Sequence, residues 1–136
     1  MKILIIENGN MVRYLLGELL YEMGADEVVE FNQGNKAIDY IKNYNGERLS
    51  CIFLDISVQS DKDSTFLDEL MFHSVYQDIP IFILTDNKTR SDDLRCFKHE
   101  ICAYINKPFT AKQIRDCVEI AKKIDSSNPF LETHAS

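Results

Sequence analysis

The stretch Ser50-Cys-Ile-Phe-Leu-Asp-Ile-Ser57 is a short apolar run that delivers one carboxylate, that of Asp55. The residues before Asp55 are apolar without alternation, which is typical of a strand buried on both faces of a parallel sheet. Such a strand is central in its sheet. Because ligands bind beyond the carboxyl ends of the strands in open α/β sheets, Asp55 is a candidate for chemistry.

The hydrophobic pattern outside this stretch predicts that strands and helices alternate. Apolar runs predict strands at residues 2–6, 27–31, 51–55, 79–84 and 103–105. Spacings of three and four predict helices around residues 11–23, 37–44, 66–75, 90–99 and 114–124, with a polar loop at 58–63. Asn10 is the predicted N-cap of the first helix, and Gly24 the residue after its end. The alternation predicts a doubly wound α/β fold with a five-stranded parallel sheet.

Composition limits the possible functions. The 136 residues, 45% hydrophobic and 27% charged, predict one globular domain at 1–124 and a frayed tail or linker start at 125–136. No apolar run approaches the roughly 20 residues of a membrane span, and the first run is too short for a secretory signal, so we expect a cytoplasmic protein. A net charge of −7 gives no general attraction to nucleic acid. The four cysteines lack zinc-site spacing and are expected to be reduced thiols.

Polar side chains follow four of the predicted strands. Glu7 and Asn8 come after the first, Asp55 ends the third, Thr85 ends the fourth and Lys107 follows the fifth. Because the strands are predicted to be parallel, these groups are expected to converge at one edge of the sheet.

This order and spacing resemble the receiver domain of bacterial two-component response regulators over residues 2–124. The matching segments are Ile3-Leu-Ile-Ile-Glu-Asn8, Phe53-Leu-Asp55, Ile83-Leu-Thr85 and Tyr104-Ile-Asn-Lys-Pro-Phe109. Each is common by itself, but the four in this order form a joint signal. The resemblance implies a flavodoxin-like (β/α)5 fold with strand order 2-1-3-4-5.

The resemblance also implies a chemistry. Asp55 would accept a phosphoryl group from a phosphohistidine on a sensor histidine kinase or phosphotransfer protein. Mg²⁺ would be held by the Asp55 carboxylate, by Glu7 and Asn8, and by the backbone carbonyl of Ser57. Lys107 would hold a phosphoryl oxygen. Beyond slow hydrolysis of the acyl phosphate, no small-molecule turnover is expected.

A conformational switch is implied as well. Thr85 would donate a hydrogen bond to the phosphoryl group, and Tyr104 would rotate into the space that this movement leaves. The Lys107-Pro108 peptide bond would be cis. The changed surface, formed by the fourth helix, fifth strand and fifth helix, would bind a downstream target, an output domain of a longer chain or a second phosphorylated copy.

Several positions depart from the receiver pattern. Asn8 replaces the second acid of the usual pair, which removes one negative charge and predicts weaker Mg²⁺ binding. Gln59 replaces a proline, and Asp63-Ser64 replaces Asp-Gly. Two hypotheses therefore remain at this point: an active phosphoacceptor, or a degenerate receiver that works as a phosphorylation-independent interaction module.

Other classes fit the sequence less well. An aspartyl-phosphate phosphatase needs a second aspartate two residues after the first, where this chain has Ser57. A flavin or nucleotide carrier needs a glycine- or hydroxyl-rich loop after the first strand, where this chain has Glu7. His73 and His99 lack a partner pattern and are interpreted as surface residues.

Overall fold

The computed structural model describes residues 1–59, 78–86 and 103–127. The described elements are β1 (Lys2–Ile6), α1 (Asn10–Glu22), β2 (Glu27–Phe31), α2 (Gly34–Lys42), β3 (Cys51–Asp55), α3 (Ile56–Gln59), β4 (Ile81–Thr85), β5 (Ala103–Asn106) and α4 (Ala111–Ser127). The helices predicted at 66–75 and 90–99 lie outside the described residues. So do His73, His99, two of the cysteines and the tail beyond 127.

The five strands form one parallel sheet in the order β2-β1-β3-β4-β5, which confirms the predicted fold class and strand order. β3 lies at the centre, between β1 and β4. The register pairs Ile6 with Leu54, Asp55 with Leu84 and Thr85 with Asn106. The last residues of these strands therefore lie side by side at the carboxyl edge of the sheet.

Two apolar cores cover the two faces of the sheet, because successive side chains of each strand point to opposite faces. On one face, the strands pack against α2 through Leu4, Ile6, Ile52, Leu54, Ile81, Ile83, Ala37, Ile38 and Ile41. On the other, they pack against α1 and α4 through Ile3, Ile5, Phe53, Phe82, Leu84, Leu16, Leu20, Ile114, Val118 and Ala121. This double burial explains why the central strands are apolar without alternation.

The start of α1 differs from its prediction by one residue. Gly9 caps the helix, and Asn10 is its first residue. The side-chain oxygen of Asn10 accepts a hydrogen bond from Nη2 of Arg13 at 2.7 Å, so it does not cap the backbone. Gly24 follows the helix as predicted, with φ at +104°, a conformation that glycine adopts without steric cost.

The predicted polar loop at 58–63 is wrong at its first two residues, because α3 begins directly after β3. The carboxylate of Asp55 accepts a hydrogen bond from the backbone N–H of Ser57 at 3.1 Å, as an N-cap aspartate does. Ile56 is also buried in the core. The end of the strand and the start of the helix are thus joined through the candidate nucleophile itself.

The last helix runs to Ser127, beyond the domain limit expected at residue 124. Its stripe of Ile114, Val118 and Ala121 is buried as predicted. Within the parts of the chain that the structure describes, no helix is both long enough and apolar enough to span a membrane.

Candidate functional site

Asp55 lies at the carboxyl end of the central strand with 2% of its surface exposed. Its Oδ1 accepts a hydrogen bond from the backbone N–H of Ser57 at 3.1 Å, and its Oδ2 accepts one from the Ser57 hydroxyl at 2.9 Å. A buried carboxylate must be compensated by donors or charges. Part of that compensation comes from Ser57, and part from the end of β5.

Lys107 links the two buried carboxylates of the site. Its Nζ lies 2.8 Å from Oε1 of Glu7 and 3.4 Å from Oδ2 of Asp55. The Glu7 side chain is fully buried, and its second oxygen accepts a hydrogen bond from the N–H of Gly9 at 2.6 Å. A Cβ at position 9 would lie 3.1 Å from that oxygen, so glycine permits this close approach.

The charges around Lys107 keep it protonated. Burial by itself would lower its pKa, but the hydrogen bond to Glu7 and the charges of Asp55 and Glu7 together raise the pKa above its ordinary value. The ammonium group therefore persists throughout the neutral range. With two carboxylates and one ammonium group, this part of the site carries a net negative charge.

The other predicted residues lie around this core. Asn8 is exposed beside Glu7. Thr85 is buried at the same edge of the sheet, where its hydroxyl donates to the carbonyl of Asp86 at 3.2 Å. Tyr104, in β5, has 47% of its surface exposed.

The structure thus brings Lys107 into contact with the carboxylates of Glu7 and Asp55. The hydroxyl of Thr85 and the ring of Tyr104 lie outside this group of contacts.

The peptide bond between Lys107 and Pro108 is cis, as predicted. The backbone N–H of Lys107 donates to the carbonyl of Thr85 at 2.6 Å. The chain after β5 is therefore tied to the end of β4, with the Lys107 side chain directed at the carboxylates.

The oxygen atoms at this edge fit Mg²⁺ in kind. Mg²⁺ is usually bound in proteins through one or two carboxylates and retains several waters. Glu7 and Asp55 supply two carboxylates, and Asn8 supplies a neutral amide oxygen next to them. Among residues 1–59, 78–86 and 103–127, no group of three acidic, histidine or cysteine residues could hold a metal.

Sequence reasoning missed Arg13. Its Nη1 donates to the backbone carbonyl of Glu7 at 2.7 Å, so the Arg13 side chain contacts the loop that carries Glu7 and Asn8. One signal was present in the sequence: a cation in the first turn of a helix is unfavourable next to the helix dipole and needs a compensating contact.

The family model described as the response regulator receiver domain matches residues 3–119, and the chain belongs to this family. It is a receiver domain of two-component signal transduction, as the sequence predicted. Receiver domains of this family bind Mg²⁺ in the active site and interact with sensor histidine kinases and output domains.

Relatives and solved structures agree with this assignment. The chain is 23% identical to a CheY homologue, a chemotaxis protein of Campylobacter jejuni, over 88% of this chain and 90% of that one. It is 22% identical to the sensor histidine kinase CheAY of Helicobacter pylori, over 90% of this chain and 15% of that protein.

Among solved structures, the fold is similar to the receiver domain of a sensor histidine kinase from Pseudomonas aeruginosa. The TM-score is 0.72 at 20% identity, over 93% of this chain and 98% of that one. That structure contains a magnesium ion coordinated in its active-site cleft. A response regulator structure from Chloroflexus aurantiacus gives the same TM-score at 21% identity, over 88% of this chain and 95% of that one.

Proposed function

We propose that this protein accepts a phosphoryl group on Asp55 from a phosphohistidine of a sensor histidine kinase or a phosphotransfer protein. One observation carries the proposal: a buried aspartate ends the central strand, and the ammonium group of Lys107 lies 3.4 Å from its Oδ2. A buried carboxylate beside a fixed cation can attack phosphorus as a nucleophile, and the cation stabilises the negative charge of the incoming phosphoryl group.

The transfer requires few covalent changes. An oxygen of Asp55 forms a bond to phosphorus, the bond from phosphorus to the imidazole nitrogen of the donor breaks, and that nitrogen keeps the electron pair. The product is an acyl phosphate on Asp55. Lys107, which lies between two carboxylates before transfer, moves toward a phosphoryl oxygen and weakens its contact with Glu7.

The candidate Mg²⁺ ligands are the carboxylates of Asp55 and Glu7, the amide oxygen of Asn8 and the backbone carbonyl of Ser57. When bound, Mg²⁺ neutralises charge on the phosphoryl oxygens. Asn8 supplies an oxygen but no charge, so we expect a lower affinity for Mg²⁺ than a second acid would give. Glu7 is also paired with Lys107, so a bound ion would share the Glu7 carboxylate with the ammonium group.

The response to transfer involves Thr85 and Tyr104. In the proposed sequence of events, the Thr85 hydroxyl leaves the carbonyl of Asp86 and donates to the phosphoryl group. The half-exposed ring of Tyr104 then moves inward. The surface around β5 and α4 changes accordingly and binds a downstream protein, an output domain or a second copy of the chain.

Incubation with acetyl phosphate and Mg²⁺, followed by measurement of the intact mass, tests the proposal. We expect one phosphoryl adduct on the wild type, none on Asp55→Ala, and one on Asp39→Asn, a matched control at an exposed aspartate of α2. If the wild type forms no adduct even at millimolar Mg²⁺, the phosphoacceptor proposal is wrong and the interaction-module hypothesis replaces it.

A further inference from the structure

Arg13 bridges both ends of the acidic loop, residues 7–10. Its Nη1 donates to the backbone carbonyl of Glu7 at 2.7 Å, and its Nη2 donates to Oδ1 of Asn10 at the same distance. The Arg13 backbone also donates to the carbonyl of Gly9 at 2.9 Å. The planar fork of the guanidinium group suits two acceptors at once, which the single ammonium group of lysine cannot reproduce.

The contact with the Glu7 carbonyl has a consequence for Asn8. That carbonyl belongs to the peptide unit that joins Glu7 to Asn8, and a peptide unit is planar. The bond from Arg13 therefore sets the orientation of the whole unit, including the N–H and Cα of Asn8. Asn8 itself is exposed, and the bond from Arg13 to the Glu7 carbonyl constrains the direction of its backbone.

Glu30 on β2 supports Arg13 from the other side. Its Oε1 lies 3.6 Å from Nε of Arg13, and 37% of its side chain is exposed. Gly17 lies one helical turn after Arg13 on α1, and a Cβ there would meet Oε2 of Glu30 at 3.4 Å. Glu30 therefore lies against α1 beside Gly17, at ordinary van der Waals distance, while its other oxygen reaches Arg13.

The charges of Arg13 and Glu30 also affect the binding of Mg²⁺ at the neighbouring loop. An unbalanced guanidinium group next to the loop would repel Mg²⁺, and the repulsion would be stronger in the partly buried setting of Arg13, whose side chain is 19% exposed. The carboxylate of Glu30 offsets this charge. Arg13 can therefore orient the loop with little electrostatic cost to metal binding.

We propose that Arg13, supported by Glu30, is a positioning residue for Mg²⁺: it orients the peptide unit between Glu7 and Asn8 so that both side chains can reach the ion. The proposal rests on the proposed function, in which Mg²⁺ serves phosphoryl transfer at Asp55. Arg13 acts through the loop and touches neither the ion nor the phosphoryl group. With a neutral amide in place of one acid, the direction of Asn8 becomes the main property by which the loop can improve the site.

Titration with Mg²⁺, followed through the NMR signal of the Gly9 backbone amide, measures this role without phosphorylation. We expect Arg13→Ala to weaken Mg²⁺ binding about tenfold, as is common for residues that orient metal ligands. Arg13→Lys should recover little of the affinity, because it keeps the charge but loses the fork. Glu30→Gln should weaken binding less than Arg13→Ala.

The control is Lys123→Ala, which removes one positive charge at an exposed position near the end of α4 and should leave the affinity unchanged. Thermal unfolding without Mg²⁺ is measured in parallel. A merely structural role of Arg13 would lower the melting temperature of Arg13→Ala and leave the Mg²⁺ affinity of the folded protein at the wild-type value, which would overturn the inference.

The remaining outcomes separate the two proposals. Weaker Mg²⁺ binding in Arg13→Ala, together with a wild type that forms no acyl phosphate, supports the positioning role and contradicts the phosphoacceptor function. If the wild type is phosphorylated but its Mg²⁺ affinity does not depend on Arg13, the phosphoacceptor function is supported and the positioning role of Arg13 is contradicted. A wild type that binds no Mg²⁺ overturns the inference directly. If Arg13→Ala does not fold, Arg13→Lys and Glu30→Gln decide the matter.

Discussion

Two lysines at opposite edges of the sheet are largely buried, but different groups hold them. At the carboxyl edge, Lys107 lies between the buried carboxylates of Glu7 and Asp55, at 2.8 and 3.4 Å. At the amino edge, Nζ of Lys2 lies 4.4 Å from the ring centroid of Tyr44 and 5.8 Å from that of Tyr40. Lys2 also pairs with the carboxylate of Glu27, whose side chain is 57% exposed.

The difference between these two edges shows that the partners of a buried cation, rather than its burial, distinguish a reactive site from a structural one. Aromatic faces stabilise Lys2 through their electron density but offer no nucleophile. The carboxylates beside Lys107 are nucleophile and metal ligand in the proposed reaction. The pKa of both lysines is raised, that of Lys2 chiefly by Tyr44, so both edges hold a permanent cation.

The largest effect is expected from Lys107→Met, which leaves Glu7 fully buried without its cation. Removal of one member of a buried ion pair commonly costs about 3 kcal/mol or more, because the other charge stays in a poorly solvated place. We expect the free energy of unfolding, measured with urea, to fall by about that amount. Acyl phosphate formation with acetyl phosphate should also decrease.

The double variant Lys107→Met with Glu7→Gln tests whether the unpaired charge of Glu7 causes the loss of stability. It removes the stranded charge, so it should regain much of the lost stability, while acyl phosphate formation should remain below that of the wild type. Equal stabilities of the single and double variants would contradict the assignment of Lys107 as the counter-ion of Glu7.

The stabilisation from Lys107 should also depend on pH in one direction. Its pKa is raised in the folded protein, so its contribution is complete below the ordinary lysine value of 10.5 and is lost as the pH rises through the folded value. The difference in unfolding free energy between wild type and Lys107→Met should therefore stay constant from neutral pH to about 10. A difference that already shrinks below about pH 9 would show that the raised pKa is wrong.

A smaller effect is expected from Lys2→Met, which keeps the apolar stem but removes the cation over the tyrosine rings. A cation–π contact at a partly desolvated site contributes about 1 kcal/mol, so the free energy of unfolding should fall by about that amount. Acyl phosphate formation should match that of the wild type. A loss of phosphorylation would remove the contrast between the two edges.

Glu27→Gln is the matched control at the amino edge. Glu27 is exposed and lies 3.4 Å from Lys2, and exposed ion pairs contribute little. The stability should therefore change by less than about 0.5 kcal/mol. A larger loss than in Lys2→Met would show that the carboxylate, and not the rings, holds the lysine.

Much of the fold could be predicted from the sequence, because the three central strands β1, β3 and β4 are buried along their whole length and therefore appear as apolar runs. The limits of the helices could not, since they depend on contacts between elements. Asn10 has the side chain of an N-cap, but Arg13 takes its oxygen. Residues 58 and 59 were predicted as a loop but belong to α3, whose start the Asp55 carboxylate caps.

The candidate site shows the same division. The positions of Glu7, Asp55 and Lys107 at the ends of predicted strands indicated that they would lie at one edge of the sheet. In the structure, Lys107 contacts both carboxylates. The role proposed for Arg13 could not be predicted, because it depends on the contact with Glu30, which β2 brings next to α1 only in the folded protein.

The sequence by itself determined where the strands lie and which polar residues follow them, since a buried strand appears as an apolar run and the residues after it can be identified directly. Tertiary structure decided which charges meet. Lys107 and Glu7 are 100 residues apart in the chain and 2.8 Å apart in the fold. Only the order and register of the parallel strands can bring such distant residues together, and those properties depend on the packing of the whole sheet.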